Sequence, residues 1–295
     1  MDNELQIYID GNFYPKSEAK VSVYDHGFLY GDGVFEGIRA YNGVVFKLVE
    51  HIDRLYRSAH AIMLTIPLTK QEMLKAVLDT LRKNGMKDAY IRLVVSRGIG
   101  DLGLDPRKCP KASVIVIADT IQCKASNAQE TGITTIFSWV QRNPVNTTTH
   151  EIKSLNYLNS ILAKIEANAY GADEAMCLES NGCIAEGVGE NVFIVKNNEI
   201  FTPPTSTGAL SGVTAAVVVD IAAKLGFKVT IANLTPFMLF TADEAFFTGT
   251  AMEMTPIREV NKRIIGDGKP GKVTKKLITE FQNVIVDPTQ GIKIY

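Results

Sequence analysis

The chain has 295 residues, of which 46% are hydrophobic and 21% are charged, and its formal net charge is −1. This composition is typical of a globular protein with enough residues for two domains. The charge balance gives no electrostatic reason to expect a nucleic acid or an anionic membrane as a partner.

The cysteine pattern and the N-terminal residues indicate a cellular compartment. Cys109, Cys123, Cys177 and Cys183 form no CxxC pair and no ligand-spaced cluster with the four histidines. We therefore expect reduced thiols, no metal site and a cytoplasmic location. The start, MDNELQIYIDGN, is acidic and polar, unlike a signal peptide. Apolar runs such as SVIVIA are far shorter than the ~20 residues of a membrane span, so we expect a soluble intracellular protein.

The first part of the chain mixes hairpin signals with helices. LQIYID–GN and AYNGVVFKL place an Asp-Gly or Asn-Gly pair between alternating apolar residues, which predicts two hairpins. A helix is predicted over roughly residues 50–63, and another begins at a capping box of Thr69 and Glu72 and ends at Gly85. The strands AYIRLVVS and ASVIVIAD follow.

The polar stretch 119–132 predicts a linker between a smaller N-terminal α+β domain, 1–118, and a larger C-terminal domain, 133–295. The second domain repeats the mixture of elements without repeating the sequence. Its predicted elements are a strand at 133–139, a helix after Lys153, two strands around Asn181–Gly182, the strands NVFIVK and EIFTPP, a helix over roughly 213–225, the strands FKVTIA and EAFFTGT, and a helix near 272–285. Both halves are predicted to be α+β, each a mostly antiparallel sheet or small barrel with packed helices.

Residues 98–103, GIGDLG, match the G-x-G-x-x-G dinucleotide-binding fingerprint after a strand. That site requires a helix to begin at the loop, because the helix N-terminus holds the pyrophosphate. Pro106 and Pro110 would fall in the first turns of such a helix, and a proline in a helix interior costs about 3 kcal/mol. We therefore predict a surface loop here and no dinucleotide site.

The segment 151–159, EIKSLNYLN, places Lys153 at or just before a predicted helix. The residues that recur at helical spacing are Leu155, Leu158, Ile161, Leu162, Ile165 and Ala169. The positive end of a helix dipole disfavours a cation by ~0.3–1 kcal/mol. A solvated loop lysine is one interpretation, and a lysine present for its nucleophilic nitrogen is the other.

Four other stretches have features that a plain core does not require. IAEGVGEN contains Glu186 and Glu190 among apolar neighbours, where carboxylates are costly to bury without a cationic or protonated partner. The helix that begins at residues 211–214 offers free backbone N–H groups, which bind phosphate. Residues 249–251, GTA, follow a strand, and Arg54 lies on the polar side of an amphipathic helix. The ordinary alternatives are a solvated turn, a helix cap, a routine turn and a surface arginine.

Together these stretches supply a lysine for an imine, a carboxylate for a ring nitrogen, and a phosphate cradle with an arginine. Pyridoxal 5′-phosphate needs these three groups. The chain also resembles the fold-type IV pyridoxal-phosphate aminotransferases, and among them the branched-chain amino acid aminotransferases, over nearly its whole length. The motifs that carry the resemblance, in family order, are YDHGFLYGDGVFEGIR, EHIDRL, AYIR, KSLNYLN, AEGVGENVFIVK, ALSGVT and TGTAMEMTPI.

The resemblance implies a role for each matching residue. Lys153 is expected to be the catalytic lysine bound to the cofactor, Glu186 to lie against the pyridine nitrogen, and Tyr157 to bond the ring hydroxyl with support from Glu190 and Asn191. Leu210 is expected to pack on one ring face. The implied phosphate ligands are Arg54, Gly212, Val213, Thr214 and Thr250. The implied substrate-binding residues are Tyr30, Phe35, Gly37, Tyr90, Arg92, Arg97, Thr250 and Ala251.

The resemblance further implies transamination between a branched-chain L-amino acid (Leu, Ile or Val) and 2-oxoglutarate by a ping-pong mechanism, in a homodimer or a higher homo-oligomer. Aromatic residues suit the apolar substrate and Arg92 suits the carboxylate. A D-amino acid or (R)-amine aminotransferase, an aminodeoxychorismate lyase and a non-catalytic binding module stay open. Tyr157 and Glu190 favour the branched-chain group. Arg97 is either a carboxylate trap, as in D-specific enzymes, or an ion-paired loop residue.

Overall fold

The computed structural model of the protein describes residues 4–121 and 127–295. The chain forms two compact units. The first unit comprises residues 1–122, 152–156 and 285–295, and the second comprises residues 123–151 and 157–284. The short segment Ile152–Asn156, which contains Lys153, therefore belongs to the first unit. Residues 122–126 of the predicted linker lie outside the described residues.

The helices and strands follow the chain in this order. The helices are α1 (His26–Tyr30), α2 (Leu48–Ala61), α3 (Lys70–Lys83), α4 (Ala128–Thr131), α5 (Leu158–Ala169), α6 (Val213–Lys224), α7 (Pro236–Phe240) and α8 (Lys272–Ile285). The strands are β1 (Gln6–Ile9), β2 (Asn12–Pro15), β3 (Gly33–Tyr41), β4 (Val44–Phe46), β5 (Ala89–Ser96), β6 (Ser113–Asp119), β7 (Ile133–Phe137), β8 (Glu174–Leu178), β9 (Ile184–Gly187), β10 (Asn191–Lys196), β11 (Glu199–Thr202), β12 (Val229–Ile231), β13 (Glu244–Gly249), β14 (Glu253–Val260), β15 (Arg263–Ile264) and β16 (Gly291–Lys293).

The first unit is built on a seven-stranded sheet in the order β16-β4-β3-β5-β6-β1-β2, and every strand pair in it is antiparallel. Both predicted hairpins are present. Their turns, Asp10-Gly11 and Asn42-Gly43, have positive φ at both residues, which suits the twist of a two-residue hairpin. The capping box of Thr69 begins α3 as predicted. One core cluster unites the apolar faces of α2, α3 and this sheet.

The second unit contains a nine-stranded sheet in the order β12-β11-β10-β13-β14-β7-β8-β9, with β15 paired to β14. Five of its strand pairs are antiparallel and three are parallel. The mostly antiparallel α+β architecture predicted for both halves is confirmed. β10 and β13 lie side by side in this sheet and carry residues of the candidate site, as does the loop before α6.

Some elements were not predicted from the sequence, whereas the loop predicted at GIGDLG is present. The short helices α1 and α7 and the long strand β14 were not predicted. After GIGDLG, the structure has only a single 3₁₀ turn, Pro106–Lys108, so the helix that a dinucleotide site needs does not form there. No helix within residues 4–121 and 127–295 has the length and apolar character needed to cross a membrane.

Candidate active site

Lys153 lies in an extended segment that is held by two elements of the first unit. The N–H of Phe35 donates to the carbonyl of Lys153 at 3.0 Å, and the N–H of Leu155 donates to the carbonyl of Gly33 at 3.0 Å. The N–H of Lys153 donates to Oγ of Ser58, in α2, at 3.2 Å. The prediction that Lys153 lies at or just before the helix N-terminus is wrong, because α5 begins only at Leu158. The helix dipole acts only over the first turn, so β3 and α2 position this residue.

The side chain of Lys153 lies against an aromatic and cationic group on one face of the sheet. Its Nζ is 4.6 Å from the centre of the Phe35 ring, and the guanidinium carbon of Arg92 is also 4.6 Å from that centre. Arg92 donates to the hydroxyl of Tyr90 at 3.1 Å. Gly37 lies directly opposite Arg92 in the β3–β5 pairing, which explains why strand alternation brings these residues to one face.

A side chain at position 37 would collide with this group. A Cβ atom on Gly37 would be 2.3 Å from the Tyr90 hydroxyl, far inside contact distance. Because Gly37 has no side chain, the Tyr90 hydroxyl has room to accept the hydrogen bond from Arg92. The structure thus brings together five of the residues that the sequence proposed for substrate or catalysis: Phe35, Gly37, Tyr90, Arg92 and Lys153.

Arg54 belongs to a buried ionic cluster between β3 and α2. Its Nε and one terminal nitrogen bind the two oxygens of Glu36, each at 2.7 Å, and Nδ1 of His51 lies 2.8 Å from the same carboxylate. Burial raises the pKa of Glu36, but the charges and hydrogen bonds of Arg54 and His51 outweigh this effect and lower the pKa to about 2. Glu36 therefore stays ionised and fixes the guanidinium of Arg54 in one orientation.

The pKa of His51 is lowered, chiefly by burial and against the attraction of Glu36; the positive charges of Arg54 and Lys153 contribute. His51 is therefore neutral at pH 7. The charged members of the cluster are then the carboxylate of Glu36 and the guanidinium of Arg54. The effect of Lys153 on this residue also indicates that its ammonium group lies near the α2 cluster.

In the second unit, Glu186 is a buried carboxylate with two kinds of partner. One oxygen accepts a hydrogen bond from the N–H of Leu210 at 2.9 Å. The other oxygen lies 3.2 Å from Nε of Arg142 and 3.7 Å from Nδ1 of His150. Glu186 is 3% exposed and Arg142 is fully buried, so the positive charge of Arg142 compensates the cost of burying the carboxylate.

Arg142 is itself held by several groups. One terminal nitrogen donates to Oδ1 of Asn159 at 2.9 Å and to Oγ of Ser160 at 3.1 Å, and the other donates to the carbonyl of Gly187. Its Nε, although close to Glu186, has no hydrogen-bond partner among the described residues. The Arg142–Glu186 contact is therefore mainly an electrostatic one.

Arg142 and His150 were missed by the sequence analysis. His150 contacts the ring of Tyr157, with 5.5 Å between the ring centres, and so links Tyr157 to the surroundings of Glu186. The signal available in the sequence was the stretch QRNPVNTTTH, which is polar and aperiodic. Such a stretch reads as an exposed loop, yet both of its ionisable residues are buried.

Glu190 and Asn191 lie at the start of β10. One carboxylate oxygen of Glu190 accepts from the N–H of Gly189 at 3.0 Å. Burial and the nearby carboxylate of Glu174 raise the pKa of Glu190 to about 7. Asn191 donates to the carbonyl of Leu210 at 2.8 Å. The N–H of Leu210 also binds Glu186. The loop before α6 is therefore hydrogen-bonded both to Glu186 and to Asn191, the residue after Glu190.

The N-terminus of α6 has the features of an anion site. Gly212 is the N-cap, and within the part of the chain that the structure describes no side chain caps the first-turn amides of Val213 and Thr214. A Cβ atom on Gly212 would lie 1.9 Å from Oδ1 of Asn191, so glycine is needed for this loop to approach β10. Thr248 pairs with Asn191 across β13 and β10. Its buried hydroxyl has no hydrogen-bond partner among the described residues.

Thr250 and Ala251 occupy the turn between β13 and β14. The turn follows directly after Thr248, which pairs with Asn191, and Asn191 lies close to Gly212. The second unit therefore brings Thr250 near the start of α6, where the other predicted phosphate residues of this unit lie. Arg54 lies in the first unit.

Two residues proposed for the substrate pocket have other partners. Tyr30 lies in α1, where its hydroxyl donates to the carbonyl of Leu102 at 2.6 Å. Arg97 donates to both oxygens of Asp32, at 2.9 and 3.0 Å, and to the carbonyls of Ile62 and Met63. The geometry favours the ion-paired alternative for Arg97, because this carboxylate and two carbonyls already occupy its donors.

Comparisons with known proteins agree on one family. The family model for Amino-transferase class IV matches residues 33–260. A protein of Methanocaldococcus jannaschii is 52% identical over 99% of each chain. The branched-chain-amino-acid aminotransferase of Pseudomonas aeruginosa is 39% identical over 98% of this chain and 96% of its own length.

Solved structures give the same result for the fold. The branched-chain amino acid aminotransferase of Escherichia coli is 36% identical, covers 96% of this chain and 95% of its own, and superposes with a TM-score of 0.93. A second branched-chain enzyme, solved with pyridoxamine 5′-phosphate, is 36% identical, covers 98% of both chains and superposes with a TM-score of 0.94. The chain therefore belongs to the class IV aminotransferases and, within them, to the branched-chain amino acid aminotransferases.

Proposed function

We propose that the protein transfers the amino group of leucine, isoleucine or valine to 2-oxoglutarate, with pyridoxal 5′-phosphate as its cofactor. The observation that carries this proposal is the position of the Lys153 amine over the ring of Phe35, which the guanidinium of Arg92 also contacts. Arg92 in turn donates to the hydroxyl of Tyr90. This group offers a nucleophilic amine, an apolar ring and a carboxylate-binding guanidinium within one face of a sheet. An amino acid substrate requires all three.

The residues of the second unit fit the cofactor on two observations. Among residues 4–121 and 127–295, no side chain caps the first turn of α6 and none bonds the buried hydroxyl of Thr248. Both features suit a phosphate group, which accepts hydrogen bonds from such donors. The buried Glu186 carboxylate suits a protonated ring nitrogen. Gly212, Val213, Thr214 and Thr250 are proposed to hold the phosphate, and the family resemblance adds Arg54 to the proposed phosphate ligands.

The bound cofactor supplies a carbonyl that takes up the amino group and a ring that accommodates the electron pair left on the substrate α-carbon. Lys153 would hold the cofactor covalently between turnovers. Once the substrate amine has replaced it, Nζ of Lys153 would act as the general base and then the general acid that moves the α-carbon proton. Water would release the first oxo acid, and a second oxo acid would then take up the amino group, which predicts ping-pong kinetics.

The other side chains control charge and orientation. Glu186, which lies beside the guanidinium of Arg142, is proposed to lie against the ring nitrogen and to favour its protonated form. Tyr157 binds the ring hydroxyl, Leu210 packs on the ring, and Glu190 and Asn191 support this network. Arg92 binds the carboxylate of glutamate, and Phe35 contacts the apolar side chain of leucine. Gly37 and Tyr90 shape the pocket, and Thr250 and Ala251 offer backbone amides to the α-carboxylate.

A survey of half-reactions tests the substrate. The purified holoenzyme is mixed with L-leucine, D-alanine or an (R)-arylamine, and the cofactor absorbance is followed in single turnovers. We expect L-leucine to react at least tenfold faster than the other two donors, with regeneration by 2-oxoglutarate. Faster reaction of D-alanine or the (R)-arylamine would assign the alternative aminotransferase activity. Oxo acid produced catalytically from aminodeoxychorismate without an amino acceptor would assign the lyase.

We also propose that the enzyme works in the cytoplasm and as a homodimer or a higher homo-oligomer. The absence of CxxC pairs supports the first of these proposals. The exposed apolar residues Leu158, Ile161 and Ile165 of α5 support the second.

A further inference from the structure

His150 lies between two residues that are proposed to contact the cofactor ring. Its side chain is 6% exposed. The centre of its imidazole ring is 5.5 Å from the centre of the Tyr157 ring, and the two ring planes are tilted by 44°. Its Nδ1 is 3.7 Å from a carboxylate oxygen of Glu186. One buried ring therefore adjoins both the residue proposed for the cofactor hydroxyl and the residue proposed for the ring nitrogen.

A closed loop that begins at Arg142 brings His150 to this place. The N–H of Arg142 donates to the carbonyl of Leu178, at the end of β8, at 2.9 Å. The side-chain amide of Asn143 then donates to the carbonyl of Thr148 at 2.9 Å and to the hydroxyl of the same residue at 2.6 Å. These bonds bring the two ends of the loop together, so the buried side chains of Arg142 and His150 are in contact.

The contact between Arg142 and His150 is one of packing and not a directed hydrogen bond. The two hydrogens of one terminal nitrogen of Arg142 have acceptors in Asn159 and Ser160, at 2.9 and 3.1 Å. The same nitrogen lies 3.2 Å from Nδ1 and 3.4 Å from Nε2 of His150, whereas a hydrogen bond would be directed at one of them. The imidazole ring therefore packs against a guanidinium that is itself fixed.

Arg142 also fixes the start of α5, where Tyr157 is the N-cap residue. Its partners Asn159 and Ser160 lie in the first turn of this helix, and Ser160 donates in turn to the carbonyl of Val188 at 2.8 Å. The backbone at Tyr157 is thus held in place, but its side chain is only half-buried and has two rotatable bonds. The buried ring of His150 limits these rotations, as a supporting residue does for a group that must meet a ligand.

Glu186 does not depend on His150 in the same way. One of its oxygens accepts from the N–H of Leu210 at 2.9 Å, and the other lies 3.2 Å from Nε of Arg142. The 3.7 Å between this oxygen and Nδ1 of His150 is longer than a hydrogen bond. The positional effect of His150 therefore falls on Tyr157.

We propose that His150 is a positioning residue for the transamination: its ring, packed against Arg142, holds the phenol of Tyr157 where it meets the hydroxyl of the bound cofactor. This inference rests on the proposed function, from which it takes the role of Tyr157. The property that acts is the flat ring of His150 and not its nitrogen atoms. A phenyl ring should therefore replace the imidazole, whereas a methyl group or an amide should not.

Cofactor binding measures the effect. The dissociation constant for pyridoxal 5′-phosphate and the absorbance maximum of the bound cofactor are determined for the wild type, His150→Ala, His150→Asn and His150→Phe. We expect His150→Ala and His150→Asn to bind at least about tenfold more weakly, with a shifted maximum, because the phenol is misplaced. His150→Phe should stay within about threefold of the wild type and keep its maximum.

Two results would overturn the proposal. His150→Ala could bind the cofactor as the wild type does, which would mean that the ring has no effect. His150→Asn could match the wild type while His150→Phe does not, which would mean that the nitrogen atoms act. His150→Phe also covers the case in which the alanine variant does not fold, since it keeps the loop filled.

A double-mutant cycle shows whether His150 acts through Tyr157. Because Tyr157→Phe already lacks the phenol hydroxyl, the further change His150→Ala should raise its dissociation constant by less than about threefold. Leu239→Ala is the control, since Leu239 is fully buried in α7 of the same unit, and its effect should be equal with Tyr157 and with Phe at this position. If His150→Ala has equal effects in both backgrounds, His150 only supports the fold and the proposal is overturned.

A measurement on the apoenzyme separates this inference from the proposed function. Tyrosine is replaced biosynthetically by 3-fluorotyrosine, and the fluorine resonance of Tyr157 is assigned from its absence in Tyr157→Phe. We expect one narrow resonance in the wild type and in His150→Phe, and a broadened or displaced one in His150→Ala. Identical resonances in all three would overturn the inference. The expected resonances in a protein that does not transaminate leucine would refute the proposed function and leave the placement of Tyr157 by His150 intact.

Discussion

Nε of Arg142 lies 3.2 Å from a carboxylate oxygen of Glu186, and both side chains are buried. Removal of one partner from a buried ion pair leaves an uncompensated charge, which typically costs about 3–5 kcal/mol. We therefore expect Arg142→Met to lower the free energy of unfolding by at least about 3 kcal/mol. The measurement is urea unfolding at pH 7, with Arg258→Met as the control because Arg258 is exposed. Equal, small effects of the two substitutions would refute this role of Arg142.

The cluster of Glu36, Arg54 and His51 predicts a loss of stability in acid. The pKa of Glu36 is about 2 in the folded protein against an ordinary value of 4.5. The folded state thus binds fewer protons between these values. Above pH 4.5, Glu36 contributes about 3 kcal/mol to the free energy of unfolding, and this contribution disappears as the pH falls toward 2. The free energy of unfolding of Glu36→Gln should therefore approach that of the wild type as the pH falls. A constant difference between these two free energies from pH 6 to 3 would contradict the prediction.

Glu190 predicts the opposite dependence on pH. Its pKa is raised to about 7 from 4.5, so the folded protein retains a proton that the unfolded chain loses between these values. Stability should then decrease as the pH rises from 4.5 through 7. Glu190→Gln cannot ionise, so it should lie within about 1 kcal/mol of the wild type at pH 5 and be the more stable protein at pH 8. Parallel stability curves from pH 5 to 8 would rule out this titration.

Gly37 predicts a steric effect on the substrate group. The added methyl of Gly37→Ala would lie 2.3 Å from the Tyr90 hydroxyl and would displace it from Arg92. We expect KM for L-leucine to rise about tenfold, equivalent to about 1.4 kcal/mol, while the protein stays folded. In Gly37→Ala/Tyr90→Phe the clashing oxygen is absent, so part of the loss should be recovered relative to Gly37→Ala. If Gly37→Ala has wild-type kinetics, the proposed packing is incorrect.

Local chemistry determined what the sequence could predict. The Asp10-Gly11 and Asn42-Gly43 turns and the Thr69 capping box depend on residues adjacent in the chain, and all three were predicted correctly. The helix after Lys153 was also predicted, but its orientation was not. The spacing of its large apolar residues predicts that they share one face of the helix. That this face is exposed to solvent follows only from the packing of Ala163 and Ala167 on the sheet.

The candidate site shows the same limit. The motifs of the family led to the prediction of Lys153, Glu186 and the α6 loop as site residues, because each lies in a short contiguous string. Arg142 and His150 were not predicted as site residues, because they approach Glu186 only in the folded sheet, where β7 pairs with β8 and β8 with β9. The side-chain partners of Tyr30 and Arg97 likewise come from distant loops.

The covalent attachment of the cofactor to Lys153 is the central claim and can be tested directly. The holoenzyme is reduced with borohydride, digested, and its phosphopyridoxyl-labelled peptide is sequenced by mass spectrometry, with Lys153→Ala and the exposed-lysine variant Lys262→Ala treated in parallel. We predict one stoichiometric label at Lys153 in the wild type and in Lys262→Ala, and none in Lys153→Ala. A label at another lysine, or no label in an enzyme that still transaminates, would contradict the account.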